Sequence, residues 1–274
     1  MQGIYRGTVG TEGAGMSLTD EVSERLVKST ERVRDLGEVF TPEATVEEML
    51  DLLPSAMWAV HPSPTFLEPA CGDGNFLIRI LMRKLEQVAK LYKRGKLPAG
   101  TSEEAAQVHA LEALASIYAV DISVENIVGG TVGHEIGARE RLLSAFALWN
   151  AETLKKQLTE RSLALRSAKW IVEHNLIVGN MLPLDIAGKP TGRNAIPIIE
   201  YIFDPMTHSV TLYKTTLGDV IESITAETAV ELSLFGPVAP EILWNGKVLK
   251  IAGVERVEAP KLKGPARNGT GGRQ

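Results

Sequence analysis

The residues best suited to chemistry lie in one run, Phe66-Leu67-Glu68-Pro69-Ala70-Cys71-Gly72-Asp73-Gly74-Asn75-Phe76-Leu77. A short apolar strand (65–68) enters a loop with glycines at 72 and 74, and the loop opens a helix at Asn75. In α/β proteins such a loop lies outside the carboxyl end of its strand, where small residues let a ligand approach the backbone. Free N–H groups at the helix start favour a carboxylate or phosphate. A dinucleotide fingerprint wants a third glycine where Leu77 stands, and a Walker loop wants Lys-Ser/Thr after its last glycine. Neither is present, which leaves a cofactor without a pyrophosphate. Asp121 closes the next strand candidate, Ile117-Tyr118-Ala119-Val120-Asp121, and an acid there can accept hydrogen bonds from both ribose hydroxyls. Its distance from the glycines exceeds the roughly 20 residues of a minimal unit, and a basic insertion around 90–104 accounts for the excess. A turn and a cap explain each feature singly; their order along the chain favours a ligand.

Other reactive residues form no such pattern. His134-Glu135 lacks the second histidine of a zinc helix, because position 138 is alanine. The five histidines are scattered along the chain, so no metal is expected. Cys71 sits where a helix N-terminus lowers a thiol pKa, but no histidine is near in sequence, and a small residue lining a pocket is the better reading. Trp58, Trp149 and Trp170 lie in helical stretches and read as packing residues.

The elements that must position these residues follow from periodicity. Residues 1–16 are glycine-rich and read as a flexible leader. A helix is expected from Ser17 to Leu36, with Val22, Leu26 and Val33 near one face and Gly37 as its stop. Thr41 reads as an N-cap with Pro42 at the first helical position. Val46, Met49, Leu50 and Leu53 then give an amphipathic helix ending before Pro54. Leu77, Leu81, Leu85 and Val88 mark one face of the helix from Asn75. Residues 105–115 are helical, and a long helical region covers 123–169 with a break at Gly129-Gly130. Leu176-Ile177-Val178 is a third buried strand closed by Gly179-Asn180, and 185–195 form a polar loop. Strands at 196–203 and 209–213 flank Asp204-Pro205-Met206-Thr207-His208, and 219–234 are helical. Asn245-Gly246 reads as the turn of a C-terminal hairpin between 242–244 and 247–249. Residues 259–274 form a disordered basic tail, leaving 17–258 as the folded domain. Strand–helix–strand–helix–strand followed by an antiparallel ribbon indicates an α/β domain with a mostly parallel sheet.

Composition sets the outer bounds. The 274 residues are 44% hydrophobic and 23% charged with a formal net charge of −5, the balance of an ordinary globular chain. A single cysteine forms no internal disulfide and suits a reducing compartment. No apolar run approaches the roughly 20 residues that span a bilayer, and the N-terminus has no signal-peptide pattern. A cytoplasmic location and no membrane partner are expected. The mild acidity argues against holding DNA by charge alone.

The run Gly37-Glu38-Val39-Phe40-Thr41-Pro42, then FLEPACGDGNFL, IYAVDIS and NLIVGNML, closely resembles the S-adenosylmethionine-dependent DNA adenine-N6 methyltransferases. The likeness spans about 17–184 and is to the branch of type I modification subunits and fused restriction–modification enzymes. It implies a class I methyltransferase fold, Rossmann-like, with a mostly parallel seven-stranded sheet, helices on both faces and a C-terminal antiparallel hairpin. It also implies that Phe40, Thr41 and Pro42 flank the methionine end of S-adenosylmethionine. Glu68, Ala70, Gly72 and Gly74 would shape its pocket, with Glu68 at the amino group. Asp121 would hold the ribose, Ile122 the adenine ring, and Asn180 would approach the adenine. DNA is the implied partner. The chain leaves little room for target recognition, which falls to a separate specificity subunit or to large loops. The family's catalytic Asn/Asp-Pro-Pro-aromatic motif, which holds the amine of a flipped-out adenine, is absent. Asp204-Pro205 stands in the expected place as a degenerate catalytic candidate, although Asp-Pro also opens a type I turn; Gly179-Asn180-Met181-Leu182-Pro183 is a displaced second one. A catalytically silent relative that binds cofactor or DNA as an accessory protein is the alternative. Methylation of a small molecule or a protein is a third.

Overall fold

A computed structural model describes residues 41–130 and 136–222, and the backbone of two further strands, 245–250 and 256–257. Phe40, the 17–36 helix, His134-Glu135, and the leader and tail lie outside the described residues. The elements are α1 (Glu43–Asp51), β1 (Phe66–Glu68), α2 (Asn75–Lys93), α3 (Glu103–Ala115), β2 (Ile117–Asp121) and α4 (Val124–Ile127). Then come α5 (Ala138–Thr153), α6 (Leu163–Asn175), β3 (Leu176–Val178), β4 (Pro197–Asp204), β5 (Ser209–Thr216), β6 (Asn245–Lys250) and β7 (Arg256–Val257). The chain is α/β: β1, β2 and β3 form a three-stranded parallel sheet in that order, and β4 to β7 form a separate antiparallel one. No helix among the described residues is long and apolar enough to cross a membrane.

The parallel sheet is centred on β2, whose buried run Ile117-Tyr118-Ala119-Val120 has the near-continuous apolar character of a strand covered on both faces. Its pleat divides the core. Ile117 and Ala119 join the main cluster with Leu77, Leu81, Leu111, Leu142, Phe146 and Leu176. Val120, on the other face, meets Ile196 and Leu217. Both crossovers advance the sheet in the same direction, so right-handed connections put their helices on the same side. The packing of α2 on α3 and α5, and of α6 on α3 and α5, is that single helical layer. Along α2, Leu77, Leu81, Leu85 and Val88 all face inward, each burial stabilising by about 1.5–3 kcal/mol. Trp149 joins from α5, its indole N–H donating to the Leu85 carbonyl at 3.0 Å. Helix α3 is buried nearly all round; Ser102 caps it, accepting from the Ala105 N–H at 3.1 Å.

The ribbon of β4 and β5 covers the opposite face. The Tyr118 hydroxyl donates to the Ile199 carbonyl at 2.6 Å, and Tyr201 donates to Asn175 Oδ1 at 2.7 Å. The buried Asn175 amide in turn donates to the carbonyls of Ala115 and Ile117 at 2.8 and 3.1 Å. Ile196 lies beside Val120 near the carboxyl end of β2, whereas Tyr201 reaches its amino end through Asn175. Strand β4 therefore runs down the sheet and carries Asp204 away from the glycine loop.

Several sequence expectations change. Among the described residues, the strands expected in a single seven-stranded, mostly parallel sheet form two sheets, because β4 pairs with β5 rather than alongside β1. Among the described residues, the second face is covered by the ribbon together with Leu217, the first residue of the 217–222 helix, rather than by a full layer of helices. Pro42, with ψ 147°, is itself the N-cap of α1, so the helix starts one residue later than expected. The helical stretch 123–169 is interrupted at Gly129-Gly130 as expected, and also breaks after Thr153, where Lys155 adopts φ +55° and Ser162 becomes the N-cap of α6. Asn245-Gly246 is no turn: both residues lie in β6, paired with Lys214 and Tyr213 of β5, while 242–244 lie outside the described residues. The helix expected at 219–234 begins at 217 and is described to 222.

Candidate functional site

The carboxyl ends of the three parallel strands bring Glu68, Asp121 and Asn180 to one edge, with Asp121 between the other two. The ladder continues past the strands: the Cys71 N–H donates to the Val120 carbonyl at 3.2 Å, and the Gly179 N–H to the Asp121 carbonyl at 2.9 Å. Gly72 adopts φ +55°, and the position a Cβ would occupy has nothing within 4 Å, so this turn is both glycine-adapted and open. Gly74, at φ +94°, is the N-cap of α2; a Cβ there would stand 3.0 Å from that of Ala138, so this glycine lets α5 approach the loop.

Asp121 holds the loop in shape. Its Oδ2 accepts from the Gly72 N–H at 2.8 Å, while Oδ1 accepts from the Ser123 N–H at 2.8 Å and the Asn126 amide at 3.1 Å. Three of the roughly four lone-pair directions of a carboxylate are thereby occupied. A ribose hydroxyl finds one acceptor direction on Oδ2, where the resemblance implied a two-hydroxyl grip.

Glu68 is half-buried; its Oε1 accepts from the Ala70 N–H at 3.2 Å, and Oε2 makes no bond among the described residues. Ala70 is exposed beside it. Ile122 is 62% exposed on the same edge, and the Asn180 side chain closes a local turn by accepting from the Leu182 N–H at 2.9 Å. The far side of the loop is fixed by Arg141 of α5. It donates to the Asp73 carbonyl at 2.8 Å and Asn75 Oδ1 at 2.9 Å, and pairs with the Asp73 carboxylate at 3.1 Å. Sequence reasoning missed Arg141, which lies about 70 residues from the loop and carries no local signal. Asn126 was equally silent, although Ser123 ahead of it is a cap-type residue.

Thr41 and Pro42 belong to the same end. Glu43 pairs with Arg79, Glu47 with Arg83 at 2.9 Å, and Asp51 with Arg83 at 2.7 Å. This ladder advances together along both helices, so α1 runs parallel to α2 and its start lies beside the first turn of α2, next to the loop. Val46 and Leu50 provide the apolar contact.

The electrostatic character of the loop is negative. Burial, then the charges of Asp121 and Glu68, push the Cys71 thiol well above its ordinary range. This shift works against the reactive thiolate that its place before a helix allowed. Burial disfavours a charge of either sign, but the smaller contribution from Asp121 and Glu68 is of the sign that favours a cation.

Asp204 and Pro205 are not brought to this edge. Asp204 ends β4 and folds its own turn, accepting from the N–H groups of Met206 and Thr207 at 2.9 and 3.3 Å and from the Thr207 hydroxyl at 2.7 Å. The Thr207 hydroxyl holds its carboxyl below the usual range. The degenerate motif is thus a turn at the amino end of the sheet, as Asp-Pro between two strands favours. Compared with protein-family models, with curated proteins and with solved structures, the chain matches none of them.

Proposed function

We propose that this chain binds S-adenosylmethionine at the carboxyl edge of its parallel sheet and serves DNA adenine-N6 methylation as the catalytic chain or a subunit of it. The observation that carries this reading is the open turn at Gly72, anchored to Asp121 and set in the negative field of Glu68 and Asp121. S-adenosylmethionine would supply an activated methyl group on a sulfonium, whose charge suits that field. Glu68 Oε2 would accept from the ammonium of the methionine end, with Thr41 and Pro42 at the same end of the fold. Asp121 would offer one acceptor direction to the sugar, Ile122 an apolar surface to the adenine ring, and Asn180 a polar group beside it. The acceptor, a DNA adenine, rests on the sequence resemblance alone, as does a separate specificity subunit.

A second reading, a catalytically silent cofactor- or DNA-binding accessory protein, is favoured by the place of Asp204 and Pro205. Without them, no Asn/Asp-Pro pair stands at this edge among the described residues.

Titration calorimetry of the full chain with S-adenosylmethionine tests the cofactor site. Glu68→Gln keeps the oxygen that meets the Ala70 N–H but removes the charge, and is expected to weaken binding on the order of tenfold, the loss of one charge-assisted contact. Absence of binding by the wild-type chain would reject the first reading and the cofactor-binding form of the second, leaving only a DNA-binding accessory protein. Binding with tritium transfer to N6 of adenine in unmethylated DNA supports the first reading; binding without transfer supports the second.

A further inference from the structure

At the opposite end of the sheet, the fold joins residues that are far apart in sequence. His61, in the loop before β1, and His109 and Glu112, one turn apart on buried α3, place their ligand atoms within 4.8 Å of one another. His61 Nδ1 lies 2.8 Å from Glu112 Oε1, and His109 Nδ1 lies 3.3 Å from Oε2. The Ser63 N–H donates to Oε1 at 3.0 Å and orients the carboxylate.

The orientation of His109 gives this cluster its meaning. Its Nε2 lies 2.9 Å from the Pro98 carbonyl, which can only accept, so Nε2 carries the hydrogen. In the neutral ring, Nδ1 is then a bare lone pair aimed at a carboxylate oxygen. Two acceptors facing each other in a fully buried site repel unless a positive group joins them. An imidazole whose outer N–H is fixed on a backbone carbonyl while its other nitrogen points at a carboxylate has the second-shell arrangement of a metal ligand. His61 is 29% exposed on its side chain and gives the cluster an opening to solvent, whereas His109 is completely buried.

We propose that His61 Nδ1, His109 Nδ1 and the Glu112 carboxylate form a binding site for a divalent transition metal of the zinc class. Two imidazole nitrogens and one carboxylate suit zinc better than magnesium or calcium, which take oxygen ligands. Three protein ligands leave a fourth position for water on the His61 side. The ion would tie the loop before β1 to α3 and so fix the amino end of the sheet. Lys84, which donates to Ser63 Oγ at 2.8 Å and to the Pro64 carbonyl at 2.6 Å, is the charge that works against an added cation. The site is independent of the proposed cofactor edge.

The test uses the full chain stripped with a chelator and titrated with zinc against a chromophoric competitor, and with cobalt in a visible-absorption measurement. Stoichiometric zinc binding and the strong absorption of tetrahedral cobalt are expected. His61→Ala, at a partly exposed position, is expected to lower zinc affinity on the order of 10- to 100-fold or more while circular dichroism stays unchanged. His174→Ala, remote from the cluster, is expected to leave zinc affinity as it was. No stoichiometric binding, or equal affinity in wild type and His61→Ala, would overturn the proposal and assign a proton, not a metal, to the space between His109 and Glu112.

Discussion

Replacing Asp121 separates its structural role from any part in ligand binding. The carboxylate accepts three hydrogen bonds, from Gly72, Ser123 and Asn126, and is itself buried. A hydrogen bond to a charged group contributes about 1.5–3 kcal/mol, and donors left unmet in a buried site lose more than that bond alone. Gly72 is half-exposed and can be rehydrated, so the full sum is not lost; Asp121→Ala should cost about 3 kcal/mol. Asp121→Asn keeps one oxygen. If that oxygen stays with Ser123 and Asn126, the new amide opposes the Gly72 N–H, and if it turns, two donors lose their acceptor. Either way at least one donor is stranded, at a cost of about 2 kcal/mol. With a urea slope of about 2–3 kcal/mol/M, the alanine variant should unfold at a midpoint lower by about 1 M, the slope itself unchanged. Urea unfolding followed by circular dichroism measures this directly. If Asp121→Ala unfolds within about 0.5 kcal/mol of wild type, the carboxylate does not hold the glycine loop and the geometry assigned to it is wrong. In a cofactor titration, Asp121→Ala would disturb the loop as well as remove the proposed contact, which makes Glu68→Gln the cleaner variant.

Two further outcomes are expected. Burial lowers the Lys84 pKa to about 8, below its ordinary value of about 10.4. Between those values the unfolded chain binds more protons than the folded one, so this group makes stability rise with pH across that window. Lys84→Met should remove the rise: the wild-type-minus-variant difference in unfolding free energy should climb from about pH 8 to about pH 10.5, and a flat difference would contradict the burial of this amine. The raised Cys71 and Tyr118 groups act oppositely but equally in both proteins, and so cancel. Asp204→Ala should leave S-adenosylmethionine affinity unchanged by calorimetry, because Asp204 closes a turn remote from the glycine loop; a loss of binding would place that turn at the cofactor edge.

Legibility in the sequence followed the range of the interactions. The run from Phe66 to Leu77 displayed strand, glycine turn and amphipathic helix in consecutive residues, and all three formed. Asp121 at the end of an apolar strand and the Asp204–His208 turn were equally readable, because apolar spacing and turn chemistry act within a few residues. Where the local signal was a single dipeptide, it gave way: Asn245-Gly246 is drawn into a strand by pairing with β5, since ladder hydrogen bonds along a whole strand outweigh one turn preference.

The residues alone determined that the chain alternates strands and helices, that one glycine loop precedes a helix, and that an acid ends the following strand. Only the tertiary structure decided that the acid is also taken up by the Gly72 N–H, and that Arg141 clamps the loop from the far side. It likewise sent β4 down the second face of the sheet with Asp204 away from the loop, and brought His61 to the His109–Glu112 pair that helix α3 already makes one turn apart. Each of these depends on which surfaces bury against each other across some 40 to 80 residues of chain, and such choices are made by the packing of the whole core, for which no short stretch of sequence carries a signal.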